Sequence, residues 1–169
     1  MLAYLLVFFE YYKTSKLSFL IWNFVISLAL AITSIYSVRN IDFTTLAEDF
    51  IKNSVGILGI LVGFSISMFT LLNTVSNPNI DQIKKKETGQ ILYGKPVYLF
   101  DLLIVSMIYI VLLESILFIF NLLFPFYFDL STKAGTIAFA VDVFLIIHIV
   151  LVNVSTTVDF YFIITRKEN

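Results

Sequence analysis

Three ionisable residues lie deep within the apolar runs of this sequence and could carry chemistry. Glu114 lies in one long apolar run, and Asp142 and His148 lie in the next, where Asn153 adds an amide. Inside an apolar protein, a carboxylic acid can bind a cation, relay a proton or hydrogen-bond to another helix. Histidine changes its charge near neutral pH and can act as a switch. The sequence therefore predicts a polar site within apolar surroundings.

No lysine or arginine lies in either run, so the two carboxylic acids have no permanent counter-ion nearby. They must be protonated, or they must contact water, a bound cation or His148. Three interpretations remain open: a neutral Glu114 hydrogen-bonded across helices, a site for a cation or proton, and a switch at His148. An acidic residue costs about 3 kcal/mol at the centre of a membrane helix, so Glu114 should point inward.

The elements that position these residues follow from composition. Hydrophobic residues make up 59% of the 169 residues and charged residues 14%, against about 45–50% and about 25% in soluble domains. Four apolar runs are long enough to cross a bilayer as helices. They cover residues 17–38, 54–75, 97–124 and 135–165. We therefore predict an all-α polytopic membrane protein, with residues 1–169 forming one four-helix transmembrane domain.

The first twelve residues, MLAYLLVFFEYY, form a shorter apolar segment. As a helix it would reach only about 18 Å, which is too short to cross. We expect a short helix that lies in, or dips into, the inner leaflet. A cytoplasmic continuation of the first span is the open alternative.

The distribution of basic residues predicts the orientation. Three lie in the two loops assigned to the outer side: Arg39, Lys52 and Lys133. Eight lie in the other segments: Lys13, Lys16, Lys84, Lys85, Lys86, Lys95, Arg166 and Lys167. Because cytoplasmic loops carry the excess of lysine and arginine, both termini and the loop 76–96 should face the cytoplasm.

The second run carries a stripe of small residues. Gly56, Gly59, Gly63 and Ser67 fall on one face of a helix with the Gly-x-x-x-Gly spacing. Small residues let helix backbones approach closely in lipid, so the stripe predicts a helix-packing face. Three partners remain open: another helix of the same chain, another subunit, and the lumen of a pore. Within the chain, Ser27 on the first run belongs to a possible set of small residues that could pack against this stripe.

The loop 76–96 carries Lys84, Lys85 and Lys86 in succession. Three lysines beside a membrane attract anionic lipid headgroups and enforce orientation. The loop is also the largest water-exposed segment, so a cytosolic protein partner would have few other places to bind.

The last run carries two polar stripes about 120° apart on a helix. Asp142 and Asn153 belong to one stripe, and His148 and Asp159 belong to the other. One stripe can face the bundle of its own chain, whereas the second should face another subunit or a wet cavity. This pattern predicts a homo-oligomer.

Several classes of function are disfavoured by what the sequence lacks. It contains no cysteine and one histidine, and it has no zinc-ligand pair, nucleophile elbow or phosphate-binding glycine loop. We therefore predict no enzyme, no cofactor and no metal. The small exposed surface also lacks the interleaved basic and aromatic face of nucleic-acid-binding proteins.

Two classes of function remain. One is a membrane sensor, scaffold or effector that works with a cytosolic partner. The alternative is an ion- or proton-conducting channel, or a holin-like protein that permeabilises the membrane. The layout resembles small four-helix membrane subunits of bacterial antiphage defence systems, of the Kiwa membrane-component type. The residues behind this resemblance are the glycine-striped second run ending in Asn77-Pro78-Asn79, the short basic loop and the acidic third run.

That resemblance implies an oligomeric sensor or effector in the bacterial inner membrane that works with a cytosolic partner. Small membrane-lysis proteins of phages share much of the same layout. They are therefore a rival family.

Overall fold

The computed structural model describes residues 2–38 and 43–165 and is almost wholly helical. In chain order the elements are α1 (Leu2–Thr14), α2 (Leu17–Val38), α3 (Phe43–Thr74), α4 (Pro78–Ile83), β1 (Glu87–Leu92), β2 (Lys95–Tyr98), α5 (Leu99–Tyr127) and α6 (Lys133–Thr165). Arg39, Arg166 and Lys167, which entered the count of basic residues, lie outside the described residues.

Four helices, α2, α3, α5 and α6, are long and apolar enough to cross a membrane. The predicted all-α class with four candidate spans is therefore confirmed. Only between 17% and 39% of each span's most apolar window is buried inside the protein. Large apolar side chains such as Trp22, Ile60 and Phe126 are exposed instead. Such a surface is compatible with an integral membrane protein, because lipid can cover it.

The helices α3, α5 and α6 form the centre of the fold. Leu58, Leu117 and Ile149, one from each of these helices, make a fully buried cluster. The helix α2 packs along α6, and α1 packs along α5. The polar side chains of α5 and α6 therefore meet inside the protein.

The helix α1 is separate from α2 because the chain bends at residues 15–16. Tyr11 is buried and its ring stacks on Tyr109 of α5, with centroids 3.8 Å apart. The Thr14 hydroxyl donates a hydrogen bond to the Glu10 carbonyl at 2.6 Å and closes the last turn. The structure thus shows the predicted short N-terminal helix, held on α5 rather than continuing α2.

The segment between α3 and α5 is ordered. Asn77 accepts a hydrogen bond from the backbone N–H of Asn79 at 2.8 Å and caps α4. The strands β1 and β2 then form an antiparallel hairpin. Its two-residue turn, Tyr93-Gly94, has positive φ angles of 50° and 77°, which favour glycine. We call this part of the protein, with α4 and the end of α6, the hairpin end.

The opposite end of the bundle, which we call the turn end, contains the α5–α6 connection and the start of α3. The Thr132 hydroxyl accepts from the backbone N–H of Gly135 at 3.1 Å, which is an N-cap for α6. A Cβ on Gly135 would collide with the backbone of Asp129. Glycine at this position therefore lets α6 start close against the connection.

Candidate functional site

Glu114 lies at the centre of a hydrogen-bonded group that joins α3, α5 and α6. Its Oε1 accepts from the Asn153 amide at 2.7 Å and from the Ser65 hydroxyl at 3.2 Å. Asn153 also donates to the Ser65 hydroxyl at 3.2 Å. The side chain of Glu114 is 0% exposed, and its Oε2 has no hydrogen-bond partner. The predicted inward orientation of Glu114 is what the structure shows.

Asp142 belongs to a second group, nearer the turn end. The amide of Asn121 donates to its Oδ1 at 2.6 Å and to the Leu117 carbonyl at 3.1 Å. Asp142 is 0% exposed and Asn121 is 1% exposed. The other oxygen of each side chain, Asp142 Oδ2 and Asn121 Oδ1, is buried without a hydrogen-bond partner.

His148 belongs to a third group, which links α6 and α5 to α1. Its Nε2 lies 3.1 Å from the Tyr109 hydroxyl, which lies 3.2 Å from the Tyr12 hydroxyl. Phe144 stacks on the imidazole ring. The Nδ1 of His148 is buried without a partner.

The structure therefore brings together only part of the predicted polar site. Glu114 and Asn153 are in contact, whereas Asp142 and His148 lie in separate groups. Among the hydrogen bonds of residues 2–38 and 43–165, none joins the three groups. Within the described part of the chain, Glu114, Asp142 and His148 therefore do not form one continuous hydrogen-bonded group.

Asp142 and Asn153 of the first polar stripe of α6, and His148 of the second, find partners inside the same chain, whereas Asp159 of the second stripe is exposed. Asp142 and Asn153 face α5, and His148 faces Tyr109. His148 therefore needs no second subunit to be paired, and the homo-oligomer stays a prediction. The helix α1 packs beside α5 and, through Tyr12 and Tyr109, covers the part of the second stripe that contains His148.

The small-residue stripe of α3 faces outward. Gly56, Gly59, Gly63 and Ser67 are exposed, whereas Leu58 and Ser65 on the other face are buried. A Cβ added at Gly63 would have nothing within 4 Å, and one at Gly59 would meet only the Phe118 ring at 3.6 Å. Packing within the chain, one of the open partners of this stripe, is therefore contradicted.

The possible small-residue counterpart of this stripe, on α2, also does not pack against it. Ser27 is buried, and α2 packs along α6 rather than along α3. The stripe remains available for lipid or for another copy of the chain.

The three consecutive lysines lie between α4 and β1 and are all exposed. Lys84 forms an exposed ion pair with Asp81 at 3.8 Å and lies 5.1 Å from the centroid of the Phe100 ring. Lys85 and Lys86 are exposed just before β1, at the base of the hairpin. Their partner, lipid headgroup or protein, stays a prediction.

The hairpin end is tied to the rest of the chain. The Asn79 amide donates to the Ile164 carbonyl of α6 at 2.9 Å. The Gln90 amide donates to the Thr14 carbonyl of α1 at 3.2 Å, and the Lys13 ammonium lies 5.8 Å from the centroid of the Tyr93 ring. The hairpin is thus connected through α1 to the group around Tyr109 and His148.

A cavity of about 810 Å³ opens at the turn end, between the start of α3 and the last turns of α5. Its charged side chains come from Glu48, Lys52 and Asp129. Of the α5 residues that line the cavity, Asn121 lies farthest from the C-terminal end of the helix. Hydrogen bonds from the N–H and O–H of Ser131 hold the pKa of Asp129 below its ordinary range. Asp129 therefore stays ionised at neutral pH.

Comparison of the chain with protein-family models, curated proteins and solved structures gives no match. The resemblance to antiphage membrane subunits therefore depends only on the sequence features quoted for it. The class that the fold itself defines is an all-α protein with four candidate membrane spans.

Proposed function

We propose that this chain is a subunit of a membrane-embedded homo-oligomer that acts as a sensor, scaffold or effector with a cytosolic partner at its hairpin end. The observation that carries the proposal is the outward stripe of α3, which leaves Gly56, Gly59, Gly63 and Ser67 without a partner helix. In lipid, helices associate through such small residues, because close backbone approach replaces the hydrophobic effect.

The hydroxyl groups next to the glycines favour this use of the stripe. Those of Ser67, Thr70 and Thr74 donate to carbonyls of their own helix at 2.8–2.9 Å. A second helix can therefore pack on the stripe without leaving these donors unpaired. The stripe extends from Gly56 to Thr74, about 27 Å at the rise of an α-helix, which is most of the thickness of a bilayer.

The hairpin end supports a role in contact with a partner. Ile91 and Tyr93 are 72% and 68% exposed at the tip of the hairpin, where Lys95 pairs with Leu92 and the Lys13 ammonium lies 5.8 Å from the centroid of the Tyr93 ring. Exposed apolar residues bordered by positive charge are typical of interaction surfaces. In the proposed orientation this surface faces the cytoplasm, and α1 connects it to the polar interior.

Native mass spectrometry of the full chain from detergent or nanodiscs tests the proposal. Gly63→Leu adds bulk where the chain itself has open space, so the fold should persist while the oligomer dissociates. The matched control is Ala29→Leu, which adds similar bulk to an exposed position of α2 and should leave the oligomer intact.

Two results would contradict the proposal. The wild-type chain could be a monomer, or Gly63→Leu could leave the number of subunits unchanged. If the stripe faced lipid, Gly63→Leu should only strengthen the helix, because glycine is about 1 kcal/mol less favourable than alanine in a helix interior.

A further inference from the structure

We propose that Asp142 and Asn121 form a binding site for one monovalent metal cation, of the sodium type, that enters through the cavity at the turn end. This site is independent of the proposed oligomer. It rests on the unpaired oxygens of this group, the missing donor at Pro125, and the charge of the cavity lining.

In the pair formed by Asn121 and Asp142, only hydrogen-bond acceptors remain unpaired. Both N–H groups of the Asn121 amide are used, one by Asp142 Oδ1 and one by the Leu117 carbonyl. Asn121 Oδ1 and Asp142 Oδ2 remain, and both are buried with no donor. Buried polar atoms nearly always have a partner, so two unpaired acceptors on side chains that hydrogen-bond to each other indicate a missing ligand.

Pro125 removes another donor, one helical turn after Asn121. It lies inside α5, four residues after Asn121. Proline has no N–H, so the backbone carbonyl of Asn121 loses its normal helical partner. The backbone carbonyl of Asn121 is therefore a third acceptor, on the same residue, that a ligand could use.

Oxygen-only ligands select a hard cation rather than an anion or a soft metal. The site holds one carboxylate, which balances a single positive charge. A water molecule would satisfy the acceptors but leave a buried negative charge uncompensated, because no lysine or arginine lies in α5 or in α6 beyond Lys133. A monovalent metal cation satisfies both requirements.

The cavity provides a route by which the cation could enter and an electrostatic potential of suitable sign. Asn121 lines it, and Asn121 lies about 9 Å from the end of α5 at the rise of an α-helix. Glu48 and Asp129 contribute two negative charges to the lining, and Lys52 contributes one positive charge. The net negative charge attracts cations and repels anions.

Two measurements on the purified full chain test the site. They are the thermal unfolding midpoint and the binding of radioactive sodium, both at constant ionic strength with choline as the replacement cation. We expect sodium to raise the midpoint and to bind once per chain, because a ligand of the folded state stabilises it. Asp142→Asn should abolish both effects, whereas Glu114→Gln should keep them, since Glu114 belongs to another group.

Pro125→Ala provides a second variant, because Pro125 is exposed and its replacement should not disturb the fold. It returns an N–H donor to the Asn121 carbonyl and should weaken sodium binding. A midpoint that responds to potassium but not to choline would support the same site.

Two outcomes would overturn the inference. In one, the midpoint is identical in sodium, potassium and choline, which means that Asp142 is protonated or contacts water. In the other, sodium binding is lost equally in Glu114→Gln.

Discussion

The hydrogen bond between Asn153 and Glu114 offers the sharpest test of the polar interior. It joins α6 to α5, and its length of 2.7 Å is short for an N–H donor. Replacing Asn153 with alanine leaves Glu114 with one longer bond, from Ser65 at 3.2 Å, and Oε2 already has no partner. The perturbation therefore removes most of the hydrogen bonding of a fully buried acid.

The expected magnitude follows from three ranges. Neutral hydrogen bonds contribute about 0.5–1.5 kcal/mol and those to charged groups about 1.5–3 kcal/mol. Interhelical hydrogen bonds in a membrane protein average about 0.6 kcal/mol with a maximum near 1.7 kcal/mol. Because this bond is short and buried, we expect a coupling free energy of about 1–2 kcal/mol between Asn153 and Glu114.

A double-mutant cycle measures this coupling. The free energy of unfolding is measured by titration with a denaturing detergent in mixed micelles for Asn153→Ala, Glu114→Ala and the double variant. The matched control replaces Asn73, whose amide donates only to the Phe69 carbonyl of its own helix. Its coupling to Glu114 should be zero within about 0.3–0.5 kcal/mol. A coupling for Asn153 as small as that of the control would refute the assignment of this group.

Three further predictions concern stability, each measured as the free energy of unfolding. Gly135→Ala should destabilise the protein by about 1–3 kcal/mol, because the added methyl group overpacks against the Asp129 backbone. An unchanged free energy of unfolding would mean that Gly135 does not lie close to that backbone. Burial raises the pKa of Tyr11 from 10.0 to about 12, so its contribution is present below pH 10 and lost as the pH rises towards 12. Tyr11→Phe should remove about 2–3 kcal/mol of this pH dependence, and an identical pH profile would contradict the docking of α1. Tyr109→Phe should cost about 1–3 kcal/mol because it leaves a buried imidazole nitrogen unpaired, whereas Tyr12→Phe, at a half-exposed residue, should cost under about 1 kcal/mol; equal costs would contradict the central place of Tyr109.

The class of fold could be predicted because apolar length alone defines a candidate span. The partners of the polar residues could not be predicted in the same way, because they depend on which helices pack side by side. Apolar length does not give that packing order. One signal was available: Glu114 and Asn121 are seven residues apart, and Asp142 and Asn153 are eleven apart. Each pair returns to one face of a helix, so two facing stripes could have been paired.

Other features were beyond the sequence patterns used. Tyr109 resembles any other aromatic residue of its run until α1 packs beside it. The outward direction of the glycine stripe depends on which face of α3 meets α5, and Leu58 rather than Gly59 occupies that contact. The hairpin was missed because the loop 76–96 was interpreted only from its lysines and its exposure to water. Tyr93-Gly94 between Leu92 and Lys95 was the available signal for a two-residue turn.

The central claim is that lipid covers the exposed apolar faces of this protein, and labelling of single cysteines in intact cells tests it most directly. The chain has no native cysteine, so Lys85→Cys, Ala134→Cys and Ile119→Cys each report on one position. With a membrane-impermeant maleimide, we predict labelling of residue 134 from outside and of residue 85 only after permeabilisation. Residue 119, which is exposed within the α5 span, should be labelled in neither case. Rapid labelling of residue 119 by the water-soluble reagent would contradict the claim.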